Sequence, residues 1–471
     1  MRLFAFVALL FAVLVAFTSR WTVFEASSLR SNPLNARQLL EQERIKRGEI
    51  LAADGSVLAR SVRGREGTYT RVYPAGSLFA HPLGYYFTNL GSSGLERYRN
   101  DVLEGQTQSS LQSILNQLQG VKPIGDKVIT SLDPSSQRVA RNALGEHHGA
   151  VVALDPRTGA VRVMVSNPSY EPNALRFPGG VARVSRSHSG ALVNRATQDG
   201  YAPGSTFKVV TATAAIDTGR YTPESTVSGR DGVLISGVPL SNDQHESFGQ
   251  ITLTEGLVHS VNTVYAQVAE SLGKRTLGRY MRRFGFNREP QLDYPAAEMS
   301  VNGEYSNGRP IPPTSPQVDV GRMGIGQDKL EVTALQMAQV ASAVADGGRL
   351  MVPHLTTRIV DSEGRTVKKI GPRVQSVVMK RSTATSVAGM MQKVVEEGTG
   401  TSAQIPGVAV AGKTGTAETQ IGNAINNVWF IAFAPVSAPR VAVAVTLQGV
   451  PGQGAAFAAP VAREVMESLL R

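Results

Sequence analysis

The sequence predicts an α+β protein: an antiparallel sheet flanked by helices, preceded by a mixed α/β pedestal and an N-terminal membrane anchor. Three observations lead there. A hairpin signal lies at residues 150–165, helical patterns fill most of 205–400, and three strand-like segments followed by a helix close the chain. A strand pair, a helical middle and a return to strands imply one antiparallel sheet with helices on its faces. The 471 residues suffice for two or three domains and a sizeable core, and the composition is globular, 42% hydrophobic and 18% charged.

Leu3–Phe17 is an uninterrupted apolar run flanked by Arg2 and Arg20, with Trp21 next. It is short of the roughly 20 residues that span a bilayer. No convincing small-x-small cleavage site follows Phe17, and Trp21 suits an interface. An uncleaved anchor over 1–27 is the expectation. A polar linker from residue 28 enters a helix at Asn35–Ile45, and apolar runs on either side of Asp54-Gly55 read as a β-hairpin. Gly94-Leu95-Glu96 opens a short helix ending near Gly105, 125–130 reads as a strand and Pro134–Leu144 as a helix. The second unit begins near 148. Ala150–Leu154 and Val161–Val165 flank Asp155-Pro156-Arg157-Thr158-Gly159, a hairpin with suitable turn chemistry. Helical patterns cover Leu253–Leu272, Thr333–Ala345 and Ser382–Glu397. Strands are expected at Val408–Ala411, Val428–Ala434 and Arg440–Leu447, then a helix at Ala456–Leu470.

The absence of cysteine removes disulfides, thiolate metal sites and thiol nucleophiles. The net charge of +11 is spread without a basic block, which suits an anionic envelope or membrane surface better than nucleic acid. The seven histidines are scattered, the only pair is His147-His148, and no acidic partner stands at metal spacing, so no metal and no cofactor are expected.

The chemistry concentrates in three short stretches. Tyr201-Ala202-Pro203-Gly204-Ser205-Thr206-Phe207-Lys208 leads into an apolar helical run ending at Gly219. Ser205 suits a helix N-cap, and Lys208, three positions on, shares its face, as a nucleophile and base would. Alone, S-x-x-K is weak. Ser260-Val261-Asn262 and Lys413-Thr414-Gly415-Thr416 follow. The last also completes Gly407–Thr414, a letter-for-letter P-loop pattern. A P-loop, however, needs a flexible loop between its glycines and a helix after its lysine. Here Val408–Ala411 alternates as a strand does, and Gly415 opposes helix initiation.

Taken in order, S-x-x-K, S-x-N and K-T-G resemble the motif set of serine β-lactamases and penicillin-binding proteins. The chain is most similar to class B, monofunctional penicillin-binding proteins of the actinobacterial A type. Further segments resemble that family: Arg47–Ala59, Ser93–Glu96, Gly149–Asp155, Ser166–Tyr170, Asn194-Arg195-Ala196, Gly324–Gln327, Thr333–Ala338, Gly398–Thr401 and Trp429-Phe430. The resemblance implies an anchor over 1–27, a dimerisation-like pedestal over 28–147 and a transpeptidase domain over 148–471. It implies a single-pass membrane protein whose catalytic domain is extracytoplasmic.

It also implies a peptidoglycan D,D-transpeptidase acting in growth or division and inhibited by β-lactams. Ser205 would attack the D-alanyl-D-alanine bond, Lys208 would be its base, Ser260 would relay a proton, and Asn262 would hold the peptide and restrain Lys208. Lys413, Thr414, Gly415 and Thr416 would bind substrate, and the backbone N–H groups of Ser205 and Thr416 would form the oxyanion hole. Implied partners are peptidoglycan stem peptides, β-lactams, the cytoplasmic membrane through the N-terminal helix, and a glycosyltransferase of the elongation or division machinery; nucleic acid is not among them. The alternatives are a D,D-carboxypeptidase or β-lactamase using water, or a largely scaffolding division component.

Overall fold

The structure, a computed structural model, describes residues 2–20, 41–106, 124–187, 190–418 and 425–471. The chain opens with α1 (Arg2–Ser19). At 1.5 Å per residue α1 is about 27 Å long. Among the described residues no helix is long and apolar enough to cross a membrane, so the expected spanning anchor is not borne out there. Trp21 and most of the expected helix Asn35–Ile45 lie outside the described residues.

The pedestal is built on β1 (Ile50–Leu51), β2 (Val57–Arg63), β3 (Tyr69–Val72) and β4 (Lys127–Thr130). The Asp54-Gly55 turn joins β1 to β2, with Gly55 at φ 84° and Asp54 Oδ1 accepting from Ser56 N. Beneath the sheet lies a buried ionic cluster. Glu96 is fully buried and bridges Arg47 (3.0 Å) and Arg71 (2.5 Å), while Arg47 also meets Glu104 at 2.9 Å. Burial alone would raise the Glu96 pKa, but the two guanidiniums override it and hold the carboxylate below its ordinary range.

The second unit begins with α2 (Pro134–Leu144), capped by Asp133, whose Oδ1 accepts from Ser136 N. It continues through β5 (Gly149–Leu154), β6 (Val161–Asn167), α3 (Lys208–Asp217), α4 (Leu253–Val258), α5 (Asn262–Arg283) and α6 (Ala334–Ala345). After the hairpin β7 (Thr356–Val360) and β8 (Thr366–Lys369) come α7 (Arg381–Glu397), β9 (Ala411–Glu418), β10 (Ile425–Ala434), β11 (Val441–Pro451) and α8 (Gly454–Leu470). The five-stranded sheet runs β9-β10-β11-β5-β6, antiparallel throughout.

Side chains alternate across a strand, so each strand feeds two cores. Trp429, Ile431 and Phe433 of β10 face one core with Ala442 and Ala444 of β11. Val428, Phe430 and Ala432 face the other with Val441, Val443 and Val445. The first core is covered by α6, apolar and buried nearly all round; the second is covered by α8 and α2.

Two features depart from the sequence expectation. The helical pattern at Leu253–Leu272 is two helices, because Ser260 adopts φ 58° between α4 and α5. The first late strand begins at Ala411 rather than Val408, since Pro406-Gly407 forms a turn closed by the Ile405–Val408 bridge. Lys413 therefore lies within a strand that continues to Glu418 instead of opening a helix, which removes the P-loop reading.

Contacts also cross between the two units. The hairpin β7–β8 extends the pedestal sheet in the order β8-β7-β4-β1-β2-β3. Arg99 donates to Asp293 (2.9 Å), and Asp293 accepts from the backbone N–H groups of Leu355 and Thr356 at the start of that hairpin. Replacing Glu96 by alanine leaves two buried guanidiniums short of their shared carboxylate. The Glu96→Ala protein should lose about 3–5 kcal/mol of stability in urea unfolding; a loss under about 1 kcal/mol would make the cluster structurally incidental.

Candidate active site

The site lies where the edge strand β9 meets the turn that enters α3. Ser205 does not cap a helix as expected. Gly204–Phe207 is a 3₁₀ turn, α3 starts at Lys208, and neither has a side-chain cap. The Ser205 hydroxyl is half-buried at the cleft surface and has no hydrogen-bond partner among the described residues. An N-cap would have spent that oxygen on a backbone N–H.

Glycines allow this turn to approach the strand. Gly204 has φ 53°, and a Cβ there would stand 2.5 Å from Thr416 O. A Cβ on Gly415 would stand 2.6 Å from Pro203 O, and one on Gly326 2.0 Å from Gly204 O. Gly204 N donates to Gly326 O, and Trp429 Nε1 to Ala202 O, fastening the turn from both sides.

Lys208 and Lys413 are both fully buried, and they converge on Ser260. Lys208 Nζ donates to Ser260 O (2.6 Å) and Asn262 Oδ1 (2.7 Å), and lies 3.4 Å from Ser260 Oγ. Lys413 Nζ donates to Ser260 Oγ (2.9 Å) and Thr414 O (3.0 Å). The left-handed backbone of Ser260 turns both its carbonyl and its hydroxyl toward these amines. Such a conformation costs a non-glycine residue about 1–3 kcal/mol and is retained chiefly at functional sites. Asn262 opens α5, and its Nδ2 donates to Ser241 O. Thr414 Oγ1 pairs with Thr399 Oγ1 at 2.7 Å, and Thr416 Oγ1 accepts from Gly454 N.

Burial holds Lys208 well below the ordinary lysine value, the charge of Lys413 pushes the same way, and Asp243 opposes them. Burial brings Lys413 to about 7. A neutral amine has two N–H donors and a lone pair. Lys208 has two short acceptors, Ser260 O and Asn262 Oδ1, which satisfy both donors and leave the lone pair to receive a proton.

The three motifs thus come together, from the turn before α3, the bend before α5 and the middle of β9. Ser205, Ser260, Asn262, Thr414, Gly415 and Thr416 line one cleft of about 460 Å³, with the two lysines buried behind Ser260. Lys208 is held by the Ser260 bend and Asn262 rather than by Ser205. Sequence reasoning missed Ser241, Asn242, Asp243, His245, His259 and Gln453, which also line the cleft. They belong to loops and helix ends with no periodicity to mark them. Among the described residues no cluster could hold a metal ion.

This geometry has relatives. A model of the penicillin-binding protein transpeptidase domain matches residues 149–467, and one of the penicillin-binding protein A dimerisation domain matches 47–128. The peptidoglycan D,D-transpeptidase PbpA of Mycolicibacterium smegmatis is 33% identical, over 99% of this chain and 97% of the relative. The penicillin-binding protein A ceftriaxone acyl-enzyme complex from M. tuberculosis superposes with a TM-score of 0.81 at 30% identity, covering 92% of this chain and 100% of that one. The penicillin G acyl-enzyme complex of the same protein gives 0.80 at 30% identity, covering 90% and 100%.

The lysines predict how stability depends on pH. Unfolded, Lys413 titrates near 10.5; folded, at about 7. Between these values the unfolded chain binds a proton that the folded one lacks, so stability rises with pH, by up to about 1.4 kcal/mol per pH unit for one lysine. Lys208, depressed in the same direction, adds to the slope. Urea unfolding at pH 7.5 to 9 should show this rise, and Lys413→Met should flatten it; equal slopes would contradict the assignment.

By its motifs in one cleft, its two matched domains and its relatives along nearly the whole chain, the protein belongs to the class B penicillin-binding proteins, of the transpeptidase family.

Proposed function

We propose that the protein is a serine D,D-transpeptidase that cross-links peptidoglycan stem peptides and is acylated by β-lactams. The observation that carries this reading is the convergence of two buried lysines on Ser260, beside a serine hydroxyl with no partner of its own.

Ser205 Oγ attacks the carbonyl of the D-alanyl-D-alanine bond, and its proton passes to neutral Lys208. Ser260, within 3.4 Å of Lys208 Nζ and 2.9 Å of Lys413 Nζ, relays a proton to the departing D-alanine amine. Asn262 restrains Lys208 and holds the donor peptide. Lys413, Thr414, Gly415 and Thr416 receive the terminal carboxylate. That carboxylate favours protonated Lys413, and a fully charged Lys413 lowers Lys208 further. Donor binding thus strengthens the case for a neutral base. The N–H groups of Ser205 and Thr416 stabilise the oxyanion; β9 is the edge strand, so alternate N–H groups are not taken by β10. An amine of a second stem peptide then displaces Ser205.

The apolar α1 and the charge of +11 support a place at the membrane surface. Membership of the penicillin-binding family supports a catalytic unit outside the cytoplasm and a glycosyltransferase of the elongation or division machinery that supplies the strands.

A fluorescent penicillin should label the protein covalently, and Ser205→Ala should abolish the label. Ser260→Ala should slow labelling by about 100-fold or more. Product analysis with an added amine should give the new amide in excess of hydrolysed donor. Label that survives Ser205→Ala would refute the nucleophile, and hydrolysis alone would point to a carboxypeptidase or β-lactamase.

A further inference from the structure

The cleft contains one acid. Among the described residues that line it, Asp243 alone carries a carboxylate. It opens the short 3₁₀ turn Asp243–His245 between the hairpin at Val233–Leu240 and α4. Asp243 Oδ2 accepts from Gln453 Nε2 at 2.7 Å, across the cleft mouth to the start of α8. Oδ1 has no hydrogen-bond partner among the described residues.

The loop beneath Asp243 is firmly held. Asn242 is buried; its side chain accepts from Thr263 N and Thr263 Oγ1 and donates to Gly229 O and Glu246 O. Its backbone N–H donates to Asp231 Oδ1. Asp243 thus presents an anion at a fixed place on the cleft wall, close enough to raise the pKa of Lys208.

Water needs no such group to attack an acyl-enzyme. A peptide amine, which arrives in water mostly as an ammonium, gains from one. Resting on the transpeptidase reading, we infer that Asp243, steadied by Gln453, binds the ammonium of the acceptor and selects an amine over water in the second half of the reaction. The acceptor class is a primary ammonium on a peptide side chain or terminus. The bound ammonium first releases one proton to solvent. The amine lone pair then forms the C–N bond, the ester C–O bond to Ser205 breaks, and the amine's second proton passes through Lys208 to Ser205 Oγ. The step yields an amide and free serine. Asp243 meets the acceptor nitrogen only as the bound ammonium and takes no part in bond making or proton transfer; it is a specificity-determining residue.

The test is the fate of one acyl-enzyme, since a ratio of products does not depend on how fast that species forms. The full-length enzyme is acylated with an acyl-D-alanyl thioester at low salt. It is then offered D-alaninamide or, separately, D-lactamide, which carries a hydroxyl in place of the amine. Asp243→Asn should lower the ratio of amide to hydrolysed product about tenfold while moving the ester-to-hydrolysis ratio less than about twofold. Asp243→Glu should restore part of the amine preference. An unchanged amide ratio in Asp243→Asn would overturn the inference, as would parallel loss with both acceptors, which would mean a general distortion of the cleft. Absence of Ser205-dependent acylation in the unaltered enzyme would overturn the transpeptidase reading, and the inference with it.

Discussion

The site depends on the burial of two lysines against one serine. Moving an ammonium out of water is expensive, and two of them side by side are more so. The protein limits that cost by letting Lys208 stay neutral. Its two N–H donors find Ser260 O and Asn262 Oδ1, and Lys413 keeps Ser260 Oγ in position. What would otherwise be an electrostatic defect favours the neutral, basic form of the amine.

The surrounding fold holds this arrangement from three directions. The buried helix α3 presents Lys208, the left-handed bend at Ser260 brings carbonyl and hydroxyl to it, and β9 delivers Lys413 from the sheet. The glycine contacts at Gly204, Gly326 and Gly415 bring the nucleophile turn within backbone distance of β9, leaving the Ser205 hydroxyl unused by the fold. Alternation along β10 and β11 lets one sheet bind α6 on one side and α2 with α8 on the other, so the strand carrying Lys413 belongs to a rigid layer.

Much of this was legible in the sequence because it obeys local rules. Pro134–Leu144 shows its cap and its period, and the helix forms at those bounds. The β5–β6 hairpin shows Asp-Pro and Gly at the right offsets, and α6 and α7 start within one residue of expectation. The motif residues were legible by their order along the chain, and the structure brings them into one cleft. What escaped has no local period. Ser205 looked like a cap because serine is a good one, yet the tertiary contact of Gly204 with Thr416 sets the turn instead. The break at Ser260 was hidden inside a continuous helical pattern, since a positive φ on a non-glycine residue has no sequence mark. Asp243 and Gln453 are 210 positions apart and meet only because a loop and a helix end close over the cleft.

The depressed proton affinity of Lys208 is what the site rests on. It can be read directly from the ¹³Cε resonance of Lys208, assigned by its loss in Lys208→Met and followed through a pH titration of the folded enzyme. A midpoint well below the ordinary 10.5, rising when Lys413 is replaced by methionine, is the predicted result. A midpoint at 10.5 or above, insensitive to Lys413, would contradict it.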